Sequence, residues 1–135
     1  MRLIALLAVL VLAPAMAFGM EWQLTTGEEQ SEDPEWLGAK ICFSSDRDPS
    51  VDHDIWIVEV DEFGQIDELY PRVTTSPTAD DRAPTWQPGD NTFLYYQRQE
   101  GTGNIEIKGQ LTSGSFEIDF TLGNANDRYP DLSST

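Results

Sequence analysis

Apolar and polar residues alternate along most of this chain, and nowhere after residue 17 does a helical period take over. Asp54-Ile55-Trp56-Ile57-Val58-Glu59-Val60 is densest in β-branched and aromatic residues and predicts a strand. Ile55, Ile57 and Glu59 share one of its faces; Trp56, Val58 and Val60 share the other. Further strands are predicted over Glu21–Thr26, Lys40–Ser44, Glu68–Thr74, Thr92–Gln97 and Asn104–Gly109. Pro71, which lacks a ladder donor, puts the Glu68–Thr74 strand at a sheet edge. Ser115–Leu122 places Phe116, Ile118, Phe120 and Leu122 opposite Glu117, Asp119 and Thr121, the pattern of a half-exposed antiparallel strand. The polar, acidic stretch from Gly27 to Glu35 reads as a loop. Turns are expected at Ser45–Ser50, Asp61–Gly64, Gln87–Asn91 and Glu100–Gly103.

This order of strands and turns recurs. Asp80-Asp81-Arg82-Ala83-Pro84-Thr85-Trp86 returns 46 positions later as Asp127-Arg128-Tyr129-Pro130-Asp131-Leu132. A weaker copy, Glu32-Asp33-Pro34-Glu35-Trp36, has its Pro and Trp 50 positions upstream. Self-similarity at such a period marks a repeat architecture. Four short strands per unit describe a β-propeller blade. The expectation is an all-β chain of four-stranded antiparallel blades. It would begin with a last strand, carry two blades and stop in the first strand of another.

The motifs resemble the TolB-type β-propeller repeat, a WD40-like unit of bacterial periplasmic and secreted proteins. The residues that carry the resemblance are Thr74-Thr75, Asp80–Trp86, Ile41–Asp48 and Asp54-Ile55-Trp56, within a matching region from Leu24 to Thr135. The second copy departs from the pattern at Gln87-Pro88-Gly89-Asp90 and Asn104-Ile105-Glu106, and the terminal copy has Leu132 where a Trp would stand. The resemblance implies a non-enzymatic binding or scaffold module acting on a protein partner in the cell envelope. The alternative is part of the accessory propeller of a secreted hydrolase of serine peptidase type. A propeller closes with about four to eight blades, so two imply a fragment of a longer propeller, closure by other copies of the chain, or an isolated two-sheet sandwich.

The N-terminus bears on compartment. Met1-Arg2, the apolar run Leu3–Leu12 and Ala15-Met16-Ala17 follow the order of a secretory signal peptide cleaved after Ala17. The apolar run before Pro14 is shorter than the roughly 20 residues a spanning helix needs. Residues 18–135 would form the mature repeat region, periplasmic or secreted, with no membrane span. The chain has 24 acidic and 8 basic residues and a formal charge of −16, and losing Arg2 makes it more acidic still. Such a charge disfavours nucleic acid. One Cys precludes an internal disulfide, and Cys42, between Ile41 and Phe43, reads as a small buried hydrophobe.

No cofactor is expected. Asp46, Asp48, Asp52 and Asp54 have the oxygen-rich spacing of a calcium loop, but without the EF-hand Gly and Glu, and turn carboxylates bonding their own backbone explain them equally. His53, the only histidine, reads as a solvated loop residue, since no G-x-S-x-G elbow offers a nucleophile. Asp81 with Arg82, and Asp127 with Arg128, read as ion pairs and backbone acceptors tying neighbouring blades together beside Pro84 and Pro130. Trp36, Trp56 and Trp86 read as core.

Overall fold

The computed structural model describes residues 29–48, 52–69, 72–121 and 125–130. The signal peptide and the predicted Glu21–Thr26 strand lie outside them, as do Pro49–Val51, Tyr70, Pro71, Leu122, Asp131 and Leu132. Among the described residues there is no helix. The strands in chain order are β1 (Ser31–Leu37), β2 (Lys40–Ser45), β3 (Asp54–Val60), β4 (Ile66–Leu69), β5 (Ala79–Gln87), β6 (Asp90–Glu100), β7 (Ile105–Leu111) and β8 (Glu117–Asp119). They form two antiparallel sheets, β1-β2-β3-β4 and β5-β6-β7-β8, each a simple meander. The all-β expectation holds, and neither sheet closes on itself.

The local chemistry explains most of the boundaries. Asp61 Oδ1 accepts the Phe63 and Gln65 amides, both at 2.9 Å, and Gly64 takes a φ of 79°, which ends β3 in an Asx-type turn. Gly89, with φ 74°, turns β5 into β6. Two predicted boundaries are corrected. The Gly27–Glu35 segment is no loop from Ser31 on, because Ser31 to Leu37 pairs with β2. An acidic strand is tolerated there because one side of its ladder is free and its middle is exposed. The fourth strand is Ile66–Leu69, earlier than the predicted Glu68–Thr74. Val73 and Thr74 still run beside β3 but outside regular pairing: Val73 N donates to Ile55 O at 2.7 Å, and Thr74 Oγ1 accepts Ile55 N at 2.9 Å.

The core forms between the sheets. Cys42, Ile55 and Ile57 of the first sheet pack with Trp86, Leu94 and Tyr96 of the second, with Val73 at their edge. Cys42 is fully buried, as expected of a small hydrophobe, and burial holds its thiol well above the usual range. The two faces of β3 divide as its alternation predicts. Ile55 and Ile57 face the second sheet, while Val58, Val60 and Trp56 join Ile41 and Phe43 on the outer face. The guanidinium of Arg47 lies over the rings of Phe43 and Trp56, at 5.3 and 4.9 Å. Trp86 is a core residue at 4 % exposure. Trp36 is not: it is 60 % exposed, on the outer face of an edge strand.

Candidate functional site

Three proline segments meet where the two sheets join. Asp33-Pro34, Ala83-Pro84 and Tyr129-Pro130 line one open depression of about 300 Å³. The residue before each proline has a left-handed backbone, with φ of 51° at Asp33, 47° at Ala83 and 54° at Tyr129. A non-glycine residue is strained there, and one that precedes proline normally adopts extended geometry. The surrounding structure therefore imposes this conformation at all three places. Ladder irregularities accompany the first two, between Glu32 and Glu35 on β1 and between Arg82 and Thr85 on β5. Such a bulge turns the strand and re-aims the side chains beside it.

A polar cleft of about 350 Å³ lies alongside, lined by Glu32, Asp80, Arg82, Gln99, Arg128 and Tyr129 among others. Arg82 organises its wall. Its Nε donates to Asp80 Oδ2 at 2.8 Å, its Nη1 to Glu32 Oε2 at 2.9 Å and its Nη2 to His53 Nδ1 at 2.8 Å. One guanidinium thus ties β1 of the first sheet to β5 of the second. Asp80 also accepts the His53 amide at 3.1 Å. His53 is not solvated as predicted: it is buried at 6 % exposure. The Arg82 N–H can only donate to Nδ1, while Asp80 Oδ1 lies 3.3 Å from the same nitrogen; the other ring nitrogen is Nε2. That nitrogen is buried with no hydrogen-bond partner among the described residues. No hydroxyl or thiol among the described residues bonds to His53. Ser44 Oγ is given to Glu32 O and Ser45 Oγ pairs with Ser31 Oγ.

The predicted Asp81–Arg82 pair is not formed. Neighbouring residues on a strand point to opposite faces, so Asp81 turns inward while Arg82 faces the cleft. The partner of Asp81 is Arg98 on β6, which grips it with Nε at 2.7 Å and Nη2 at 2.9 Å. Arg98 Nη1 reaches Glu117 at 2.8 Å, and its guanidinium lies 5.4 Å from the centre of the Tyr96 ring. Burial pushes the Asp81 carboxyl above its usual value, against the hydrogen bonds and charge of Arg98. Burial pulls Arg98 down, but Asp81, Tyr96 and Glu117 together hold it above its ordinary value. Burial, then the hydrogen bond its hydroxyl gives Glu117 at 2.6 Å, raises Tyr96. Among the described residues Asp127 and Arg128 likewise form no ion pair with each other, and Arg128 lines the cleft.

Three of the four carboxylates of the predicted calcium loop are engaged by protein partners. Arg72 takes Asp48 at 2.6 Å and Asp54 at 2.9 Å, Thr74 donates to Asp54 at 3.0 Å, and Asp46 accepts the Gln30 amide at 2.6 Å. Asp52 is exposed. Among the described residues no cluster of three or more His, Cys, Asp or Glu is placed to hold a metal. The described residues hold no helix long and apolar enough to cross a membrane. Arg98, Glu117 and Glu32 were missed by sequence reasoning: each is one charge among many, and only the register across β5, β6, β7 and β8 brings Arg98 and Glu117 to Asp81. No protein-family model matches the chain, and no curated protein matches it.

Proposed function

We propose that this chain is an exported, non-enzymatic binding and scaffold module, built of TolB-type propeller blades, that offers its polar cleft to a protein partner in the bacterial envelope. The observation that carries the reading is the recurrence of one set of joint bonds. Asp81 N donates to His53 O at 2.7 Å, and Asp127 N donates to Ile105 O at 2.9 Å. Asp80 Oδ1 accepts His53 N, and Asn126 Oδ1 accepts Ile105 N. Thr74 Oγ1 accepts Ile55 N, and Thr121 Oγ1 accepts Ile107 N. Corresponding residues of the two sets lie 46 to 52 positions apart, close to the 46 and 50 of the sequence motif. The first set ties the first meander to β5 and the second ties β7 to the segment after β8, a recurrence that supports reading the two meanders as successive blades. The cleft beside the joints combines the cation of Arg128 with the carboxylates of Glu32 and Asp80, a lining that suits a polar peptide surface more than an apolar small molecule.

A photo-crosslinking residue in place of Tyr129 tests this in an exporting bacterial cell. The expected result is one discrete protein adduct that is lost when Arg128→Glu is added. An adduct pattern indifferent to Arg128→Glu, or no adduct at all, would overturn the binding role of the cleft.

A further inference from the structure

The way the second sheet covers the first shows what the outer face of the second sheet is shaped to receive. Trp86 pairs with Leu94 across β5 and β6, and both press on Cys42, Ile55 and Ile57. Trp86 Nε1 also donates to Glu35 O on β1 at 3.1 Å. Register identifies the corresponding residues one unit along. Trp36 pairs with Ile41 as Trp86 pairs with Leu94, and Cys42 pairs with Ile57 as Tyr95 pairs with Gly109. The face of the first sheet that is covered therefore corresponds to the outer face of the second, which carries Tyr95, Gly109 and Ile107. The covering face of the second sheet corresponds to the outer face of the first, which carries Trp36.

Both corresponding faces are open where the anchors lie. Phe93, Tyr95 and Phe120 stack edge to face, with ring centroids 5.3 and 4.7 Å apart. They floor an apolar groove of about 410 Å³ with Pro88, Leu111 and Ile118. Phe120 is 49 % exposed. At the other end Arg47 already covers Phe43 and Trp56, so the free aromatic of that face is Trp36, the counterpart of buried Trp86. Exposed aromatic clusters of this size mark interaction surfaces.

We propose that the Phe93–Tyr95–Phe120 face binds the first sheet of a second copy of this chain, which inserts its Trp36 as Trp86 is inserted within one copy. The contact is head to tail: two different surfaces meet, and each open assembly retains one free surface of each kind at its two ends. Such an interface propagates into a ring or a filament rather than stopping at a dimer. The inference rests on the correspondence of sheet faces and not on the polar cleft, so either can fail without the other.

The test is sedimentation and light scattering of the chain as recovered from an exporting host, with Trp36→Glu and Phe120→Glu made singly and then mixed. Wild type should associate with rising concentration. Each variant alone should associate about tenfold more weakly or worse, because each has lost one of the two surfaces. The mixture should regain a contact, since Trp36→Glu keeps its groove and Phe120→Glu keeps its tryptophan, and it should stop at a heterodimer. If Phe120→Glu does not melt cooperatively, Phe116→Glu, on the same face and 54 % exposed, replaces it. A monomeric wild type overturns the proposal. So does a Trp36→Glu variant that associates like wild type, which would mean that two grooves pair with each other.

Discussion

Arg98 carries the densest set of charged contacts in the structure, and its removal has a defined consequence. It neutralises Asp81, whose side chain is wholly out of contact with solvent, and it is itself nearly buried. Taking away the guanidinium leaves a buried carboxylate without its partner, which typically costs about 3–5 kcal/mol. Arg98→Met should lower stability by about that amount in urea unfolding, and Asp81→Leu should do comparable harm. The double variant should recover most of the loss, because a buried ion pair and well-packed apolar residues of similar volume are close in free energy. Additive losses in this cycle would show that Asp81 and Arg98 act separately. The same scale shows what single residues disclosed in advance. Cys42 was legible as core because it lies in an apolar run, and Trp86 because so large an indole favours burial. The partner of Asp81 was not, because its neighbour in sequence, Arg82, points to the opposite face, and Arg98 lies on another strand. His53 and Trp36 misled for one reason: burial is decided by what lies opposite. Asp80 and Arg82 cover the histidine, while no described residue covers the tryptophan.

At the scale of elements, β2, β3, β6 and β7 were written in their alternation, and the joints were written in their prolines. β1 was not, since Ser31-Glu32-Asp33-Pro34-Glu35 has neither the apolar period nor the propensity of a strand, and only pairing with β2 makes it one. β8 was foreseen but is shorter than its alternation, spanning Glu117–Asp119. Its place depends on a gap in β7. Gly109 pairs with Ile118, and a Cβ built at Gly109 would come within 2.6 Å of the Phe120 ring and 2.8 Å of Phe93. Absence of a side chain is what lets both rings close over the strand. Gly109→Ala should displace them and cost about 1–3 kcal/mol, the usual range for overpacking. Near-ultraviolet circular dichroism would report the displaced aromatics, and an unchanged spectrum with an unchanged melt would show that the rings do not need the space. Because the displaced rings belong to the proposed docking face, the same variant should also weaken self-association.

For the molecule as a whole, charge sets how stability responds to pH. Acids outnumber bases by 24 to 8, so neutral pH places a large negative charge on two thin sheets. Two carboxyls add to this from within. Burial raises both Asp54 and Asp81 above the ordinary carboxylate value of 3.8, despite the Thr74 and Arg72 contacts of the first and the Arg98 contacts of the second. A group whose folded value is raised contributes stability that is complete below its unfolded value and is lost as pH rises through the folded one. Both effects run the same way, so the melting temperature should rise as pH is lowered from neutral toward the carboxylate range. The exposed Asp90 opposes this weakly: hydrogen bonds from Thr92 lower its carboxyl, so its contribution fades only at acid pH. The two main causes separate by salt. Added sodium chloride screens the surface repulsion and flattens that part of the slope, while the buried carboxyls are screened far less. The slope that survives high salt should shrink in Asp54→Asn, which keeps an acceptor for Thr74 but cannot ionise. A melting temperature that stays flat or falls as pH is lowered from neutral toward the carboxylate range would mean that the ion pairs of Arg72, Arg82 and Arg98 outweigh both the net charge and the buried carboxyls.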